Sequence, residues 1–136
     1  MLVSEGCGRD RPRTVKIDGR VTLDQGDWPA SGEILFLPVE PAAGYPRHNA
    51  VAKFATDGAF DRVTTWEEGD GIVPGTYRIA ITCWKTPPQF NGPPPVSWVD
   101  QRYIAGSTSD KEVEITIESS GESFVWDFPG NKSLRK

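Results

Sequence analysis

Few residues in this 136-residue chain could do chemistry, and their spacing decides what that chemistry is. The one histidine, His48, stands in the loop-like stretch YPRHNA. A catalytic base needs a nucleophile and an orienting group within hydrogen-bond reach, and no neighbouring motif supplies them. The expectation is a loop histidine exposed to solvent, with no catalytic residue and no enzyme activity. The two cysteines, Cys7 and Cys83, lie far apart. With a single histidine they make no zinc ligand set, which requires three or four ligands at suitable spacing. Cys83 reads as a small core hydrophobe. Glu67, Glu68 and Asp70, flanked by Gly69 and Gly71, could offer oxygens to Ca²⁺. They lack the regular alternation of a dedicated calcium loop, so a solvated turn is expected, with no metal and no cofactor. The aromatics are more suggestive. Of five tryptophans, Trp28, Trp66, Trp84 and Trp98 fall outside clean core positions. Trp84, Phe90 and Trp98 surround a proline-rich stretch. Exposed aromatics of this kind serve sugar-binding platforms and protein interfaces, so these three are the candidate ligand-binding residues. The competing reading is that Trp66, Trp84 and Trp98 cap the ends of the fold.

The length suits one domain with one core. The net charge of −4 argues against a nucleic-acid partner, which requires a basic surface. The tightest basic group, Arg9, Arg11 and Arg13, reads as a solvated leader. No apolar run is long enough for a transmembrane helix, and MLVSEGCG is too short to contain the apolar segment of a signal peptide. With 14 glycines and 12 prolines, the composition disfavours a helical bundle.

Seven stretches alternate as strands: 14–23, 32–39, 50–56, 59–65, 76–84, 111–118 and 122–128. Gly19 marks a bulge or bend in the first. Ile34 to Leu37 is a continuous apolar run that suits a central strand. Asp57-Gly58 reads as a two-residue hairpin turn. In TYRIAITCW, Tyr77, Ile79, Ile81 and Cys83 share the core face. Val113, Ile115 and Ile117 share another, as do Phe124, Trp126 and Phe128. After Trp84, five prolines within KTPPQFNGPPP remove donors and fix φ, so no central strand continues there. The loop 85–103 must then run along an edge or end, with Phe90, Val96 and Trp98 tucked beneath it. The expectation is an all-β fold: a single antiparallel β-sandwich of about seven strands over residues 14–130. A flexible tether, 1–13, precedes it and a disordered tail, 131–136, follows.

The order of IDGRVTL, GEILFLP, DGAF, GIVPGTYRIAI, VDQRYIAGSTS and FVWDF resembles the carboxypeptidase regulatory-like, transthyretin-like domains of small bacterial surface lipoproteins. The resemblance spans roughly Val15 to Phe128. It implies a prealbumin- or immunoglobulin-like Greek key and a non-catalytic structural or interaction role at the cell envelope. The partner would be an unidentified protein or glycan, and oligomeric state is left open. A carbohydrate- or small-ligand-binding module is the alternative. The resemblance also implies a lipidated cysteine shortly before the first strand, where Cys7 stands. Ser4 occupies the position three before it, where such a site usually has leucine, and an apolar segment is missing. Either a signal segment precedes this chain and Cys7 tethers it to a membrane surface, or Cys7 is an ordinary tail cysteine. A transthyretin-like hydrolase group carries several histidines and a Tyr-Arg-Gly-Ser-type tail. This chain has one histidine and ends GNKSLRK. An exposed sheet edge is a further place for a partner strand to add.

The facing assigned to the KEVEITIE stretch is testable. Ile115→Asp puts an unpaired charge into the core and is expected to unfold the domain. Thermal melting unchanged from the parent would reverse that facing.

Overall fold

A computed structural model of the chain describes residues 13–134. Among the described residues the chain is all-β, with nine strands rather than seven. They are β1 (Asp18–Leu23), β2 (Gly32–Pro41), β3 (Ala50–Phe54), β4 (Ala59–Phe60) and β5 (Gly75–Thr82). Next come β6 (Trp84–Thr86), β7 (Val96–Ser97), β8 (Glu112–Ile115) and β9 (Ser123–Phe128). The helical content of the described residues is three short 3-10 turns, Gln101–Tyr103, Ile117–Ser119 and Lys132–Leu134. The strands make a four-stranded sheet in the order β3-β2-β5-β8, a three-stranded sheet in the order β4-β1-β9, and the two-stranded pair β6-β7. One expectation is corrected here: β1 and β9 run parallel, so the three-stranded sheet is mixed.

Side-chain alternation explains how these strands bury their faces. Ile34 and Phe36 of β2 are fully buried, beside Ala50, Ala52 and Phe54 of β3 and Tyr77, Ile79 and Ile81 of β5. The three-stranded sheet contributes Val21, Phe60 and Phe128 to the same core, with Phe124 and Trp126 packed half-buried against it. Phe36 joins the sheets. Its ring centroid lies 6.5 Å from that of Phe60 and 6.2 Å from that of Trp126. The apolar run in β2 does form a central strand, with Leu35 and Leu37 half-buried on its other face. Gly106 covers Leu37 so closely that a Cβ there would lie 2.2 Å from its Cδ1. Pro38 has no N–H to give the ladder, and the β2–β5 register shifts between Pro38 and Glu40.

Several local expectations change in the folded chain. The first strand splits: Val15 bridges Ile72, and β1 begins at Asp18. Gly19 sits in an unbroken register without a bulge. Its glycine is required by proximity, because a Cβ would lie 2.2 Å from the Phe124 carbonyl oxygen. Asp57-Gly58 closes no hairpin. Gly58 N–H donates to the Ala55 carbonyl, and the turn carries the chain from β3 in one sheet to β4 in the other. Trp28 is a core residue, only 3% exposed. Its ring lies 4.8 Å from Phe54 and its indole N–H donates to the Val21 carbonyl. The Lys111–Glu118 strand stops at Ile115, because Thr116 N–H turns to the Ser119 hydroxyl and starts a 3-10 turn. Ile115 is buried and Ile117 remains packed, half-buried, on the core.

Gly58 supplies the test of this crossing. Its φ is +83°, and a Cβ would lie 1.8 Å from the Val21 carbonyl oxygen. Gly58→Ala is expected to cost more than about 2 kcal/mol in urea unfolding, because strain and a backbone clash combine. A cost below about 0.5 kcal/mol would mean the crossing is loosely held.

Candidate functional site

The proline-rich segment is not a plain loop. At Cys83 the chain leaves the four-stranded sheet, and Trp84–Thr86 pairs with Val96–Ser97 in a short antiparallel ribbon. Trp84 faces Ser97 and Thr86 faces Val96, so Lys85 is the extra residue of a bulge. The base of the ribbon is clamped. Trp98 N–H donates to the Cys83 carbonyl at 2.9 Å. The Asn131 side-chain amide donates to the Ser97 carbonyl at 2.9 Å, and the Asn131 backbone N–H donates to that of Trp98 at 2.8 Å. Asn131, assigned from sequence to a tail, is thus a structural fastener of this ribbon.

The outer part of the segment stands in solvent. Every residue from Pro87 to Pro95 is exposed. At its apex Gln89 accepts from the Gly92 N–H at 3.2 Å, with Asn91 at φ +61°. Phe90 occupies that turn and is 95% exposed. The expectation that it tucks beneath the loop is therefore wrong. The prolines remove backbone donors on both sides, and the turn between them carries the side chain outward. Val96 and Trp98, in contrast, are half-buried, with Trp98 packed on the core.

The three candidate aromatics are not brought onto one surface. Trp84 shares a face with its partner Ser97, whereas Lys85 and Trp98 meet on the other, the ammonium 5.9 Å from the ring centroid. Trp84 looks instead onto an open cleft of about 770 Å³ lined by Glu33, Lys53 and Thr82. Phe90 lies at the far tip. Cys7 lies outside the described residues.

The remaining candidates have structural settings. His48 is half-buried, its ring 5.1 Å from that of Trp66. Its Nδ1 lies 2.7 Å from the Asn49 carbonyl oxygen, so that nitrogen carries the proton. No nucleophile or carboxylate is hydrogen-bonded to its ring among the described residues. Asp70 closes the acidic turn, its carboxylate accepting the amides of Thr65, Trp66 and Glu67. Burial alone would raise its pKa, but these bonds together outweigh burial and hold it below the usual carboxylate value. Among the described residues no three or more His, Cys, Asp or Glu side chains are grouped to hold a metal ion. Tyr103 was missed as a positioning residue. Its buried ring meets Phe128 edge-on at 5.4 Å, and its hydroxyl donates to Asp110 at 2.9 Å. The spacing in YIAGSTSD was the available signal for this fastening of the 99–110 connection.

No family model, curated protein or solved structure matches the chain.

Burial of two core groups gives the fold an alkaline limit. Cys83 is 1% exposed, and its thiol donates to the Ala30 carbonyl at 3.3 Å. Burial pushes its pKa from 9.0 up to about 11, against the opposing pull of that bond. Burial likewise pushes Tyr77, whose hydroxyl donates to the Val73 carbonyl, from 10.0 to about 12. Across each window the folded state keeps a proton that the unfolded chain has lost, so stability falls as pH rises. The melting temperature is expected to drop between pH 9 and pH 11. Cys83→Ala should flatten that first part of the fall while leaving the Tyr77 part. An unchanged slope in the variant would remove Cys83 as its cause.

Proposed function

We propose that this chain is a non-catalytic interaction domain of a cell-envelope lipoprotein, built as a transthyretin-like Greek-key β-sandwich, with Phe90 as its contact anchor. The observation that carries this reading is the 95% exposure of Phe90 at the apex of a clamped, proline-stiffened ribbon. Burying a phenylalanine side chain against a partner is worth about 1.5–3 kcal/mol. Prolines on both sides restrict the free loop, so less ordering entropy is lost on binding. Between Trp84 and Val99 the only charged residue is Lys85, which leaves the tip without a charge to desolvate. The sheet orders β3-β2-β5-β8 and β4-β1-β9, with β3–β4 and β8–β9 connecting one to the other, support the sandwich. The sequence resemblance supports the envelope setting, with Cys7 as the tether.

The cleft beside Trp84 favours a second reading, a carbohydrate- or small-ligand-binding module. An aromatic face beside Glu33 and Lys53 offers stacking with polar contacts at its rim.

One experiment separates the two. A photo-reactive benzoylphenylalanine replaces Phe90 or, as a control, the exposed Asp61, in cells of the native host. A discrete protein adduct from position 90 and none from position 61 is the expected result. A glycan adduct would favour the second reading. No adduct at either position would overturn the Phe90 anchor. The intact mass of the recovered chain reads the Cys7 tether in the same sample, as acyl chains on an N-terminal cysteine.

A further inference from the structure

We infer that β9 is a self-complementary edge through which two copies of this chain pair, independently of the Phe90 loop. The basis is the direction in which its main-chain groups point. Asp18 N–H donates to Glu122 O and Asp24 N–H to Phe128 O. In the parallel register Asp18↔Ser123 to Leu23↔Phe128, the even-numbered residues of β9 therefore bond to β1. The N–H and C=O groups of Ser123, Val125 and Asp127 face away from it. Since β9 is the end strand of its sheet, they have no ladder partner among the described residues. Beyond Phe128 the edge closes, where Asp100 N–H meets Pro129 O and Val99 bridges Gly130.

Edge strands are normally guarded by charge, proline, bulges or brevity. The other edges here follow that rule. β8 carries Glu112 and Glu114, β4 has two residues, and β3 is partly covered by the Val51–Thr64 bridge. β9 has six residues, no proline, no lysine and no bulge against β1. At its centre Val125 is 72% exposed, and on its other face Phe124 and Trp126 are only half-buried.

A second β9 laid antiparallel about Val125 fits these features in one register. Val125 faces Val125 of the second copy as a hydrogen-bonded pair, and Ser123 faces Asp127 on each side. All three residues then exchange their open main-chain groups. The two exposed valines bury each other. Asp127 stays anchored by the Thr22 hydroxyl and the Gln25 N–H and meets a serine, not a like charge. On the inner face Phe124 comes opposite Trp126 of the second copy. Within one chain Phe60, Trp126 and Phe124 already stack, at 6.0 and 5.3 Å, so pairing extends this aromatic row across the joint. The same operation on β8 sets its Glu112 and Glu114 carboxylates near those of the second copy.

The test is a concentration series of the full chain by sedimentation equilibrium, from micromolar to millimolar. The mass is expected to double with concentration. Val125→Lys sets two ammonium groups opposite each other and beside Arg20, the β1 neighbour of Val125. It should raise the dimer dissociation constant at least about tenfold, with thermal melting at low concentration unchanged. Glu112→Lys should leave the dimer unaffected. In a Cys7→Ser background, Val125→Cys should form a covalent dimer on mild oxidation, because hydrogen-bonded antiparallel partners have Cα atoms ~5.5 Å apart. Three results would each overturn the inference: a monomer throughout the range, a dimer insensitive to Val125→Lys, or cross-linking through Glu112→Cys instead of Val125→Cys.

Discussion

Phe36 is the contact on which the rest of the structure depends. It belongs to the central strand of the larger sheet, is fully buried, and touches aromatic rings from three other strands. Tyr77 meets it edge-on within its own sheet at 6.4 Å, and Phe60 and Trp126 meet it from the other sheet. Aromatic pairs of this geometry contribute beyond the area they bury. The consequence is topological as well as energetic. Since β4 has two residues, it could not hold the chain in the smaller sheet by main-chain bonds alone. Phe60, locked between Phe36 and Trp126, holds it there by packing.

That junction lets the ends of the fold carry irregular backbone. Leaving the sheet at Cys83, the chain needs new partners for its main-chain groups. It finds them in Trp98 and Asn131, the second from the far end of the described chain. A ribbon clamped so far apart in sequence can present an exposed apex without fraying at its base. The acidic turn at 66–71 obeys the same rule, with Asp70 satisfying three consecutive amides that no strand could reach. The 99–110 connection is held by the Tyr103–Asp110 bond and by the Ser109 hydroxyl, which donates to the Ile79 carbonyl at 2.6 Å.

The close glycines belong to this account as well. Gly19 and Gly58 both sit where a neighbouring main chain passes within the reach of a Cβ. One lies in a regular strand and the other in a turn with positive φ, so they share a cause in proximity and differ in conformation. The smaller sheet is consequently tight at both flanks of β1, and β9 forms one of its two edges, with the main-chain groups of Ser123, Val125 and Asp127 open among the described residues.

The sequence alone determined the β class and the facing of the strands with long alternating patterns. Tyr77, Ile79, Ile81 and Cys83 lie on the core face as their period of two requires, and so do Ala50, Ala52 and Phe54. Period is a local property, and burial of one face enforces it. The tertiary structure decided what depends on distant partners. Asp57-Gly58 has the chemistry of a hairpin, but β4 pairs with β1, so the turn became a crossing. Trp28 has no periodic neighbours, yet Phe54 and the Val21 carbonyl draw it into the core. The parallel β1–β9 pairing joins nearly opposite ends of the chain, and no local pattern encodes strand direction. For the candidate site, the aromatic residues could be named from composition and proline spacing. Their separation could not, because a bulge at Lys85 and a clamp from Asn131 set which face each ring occupies.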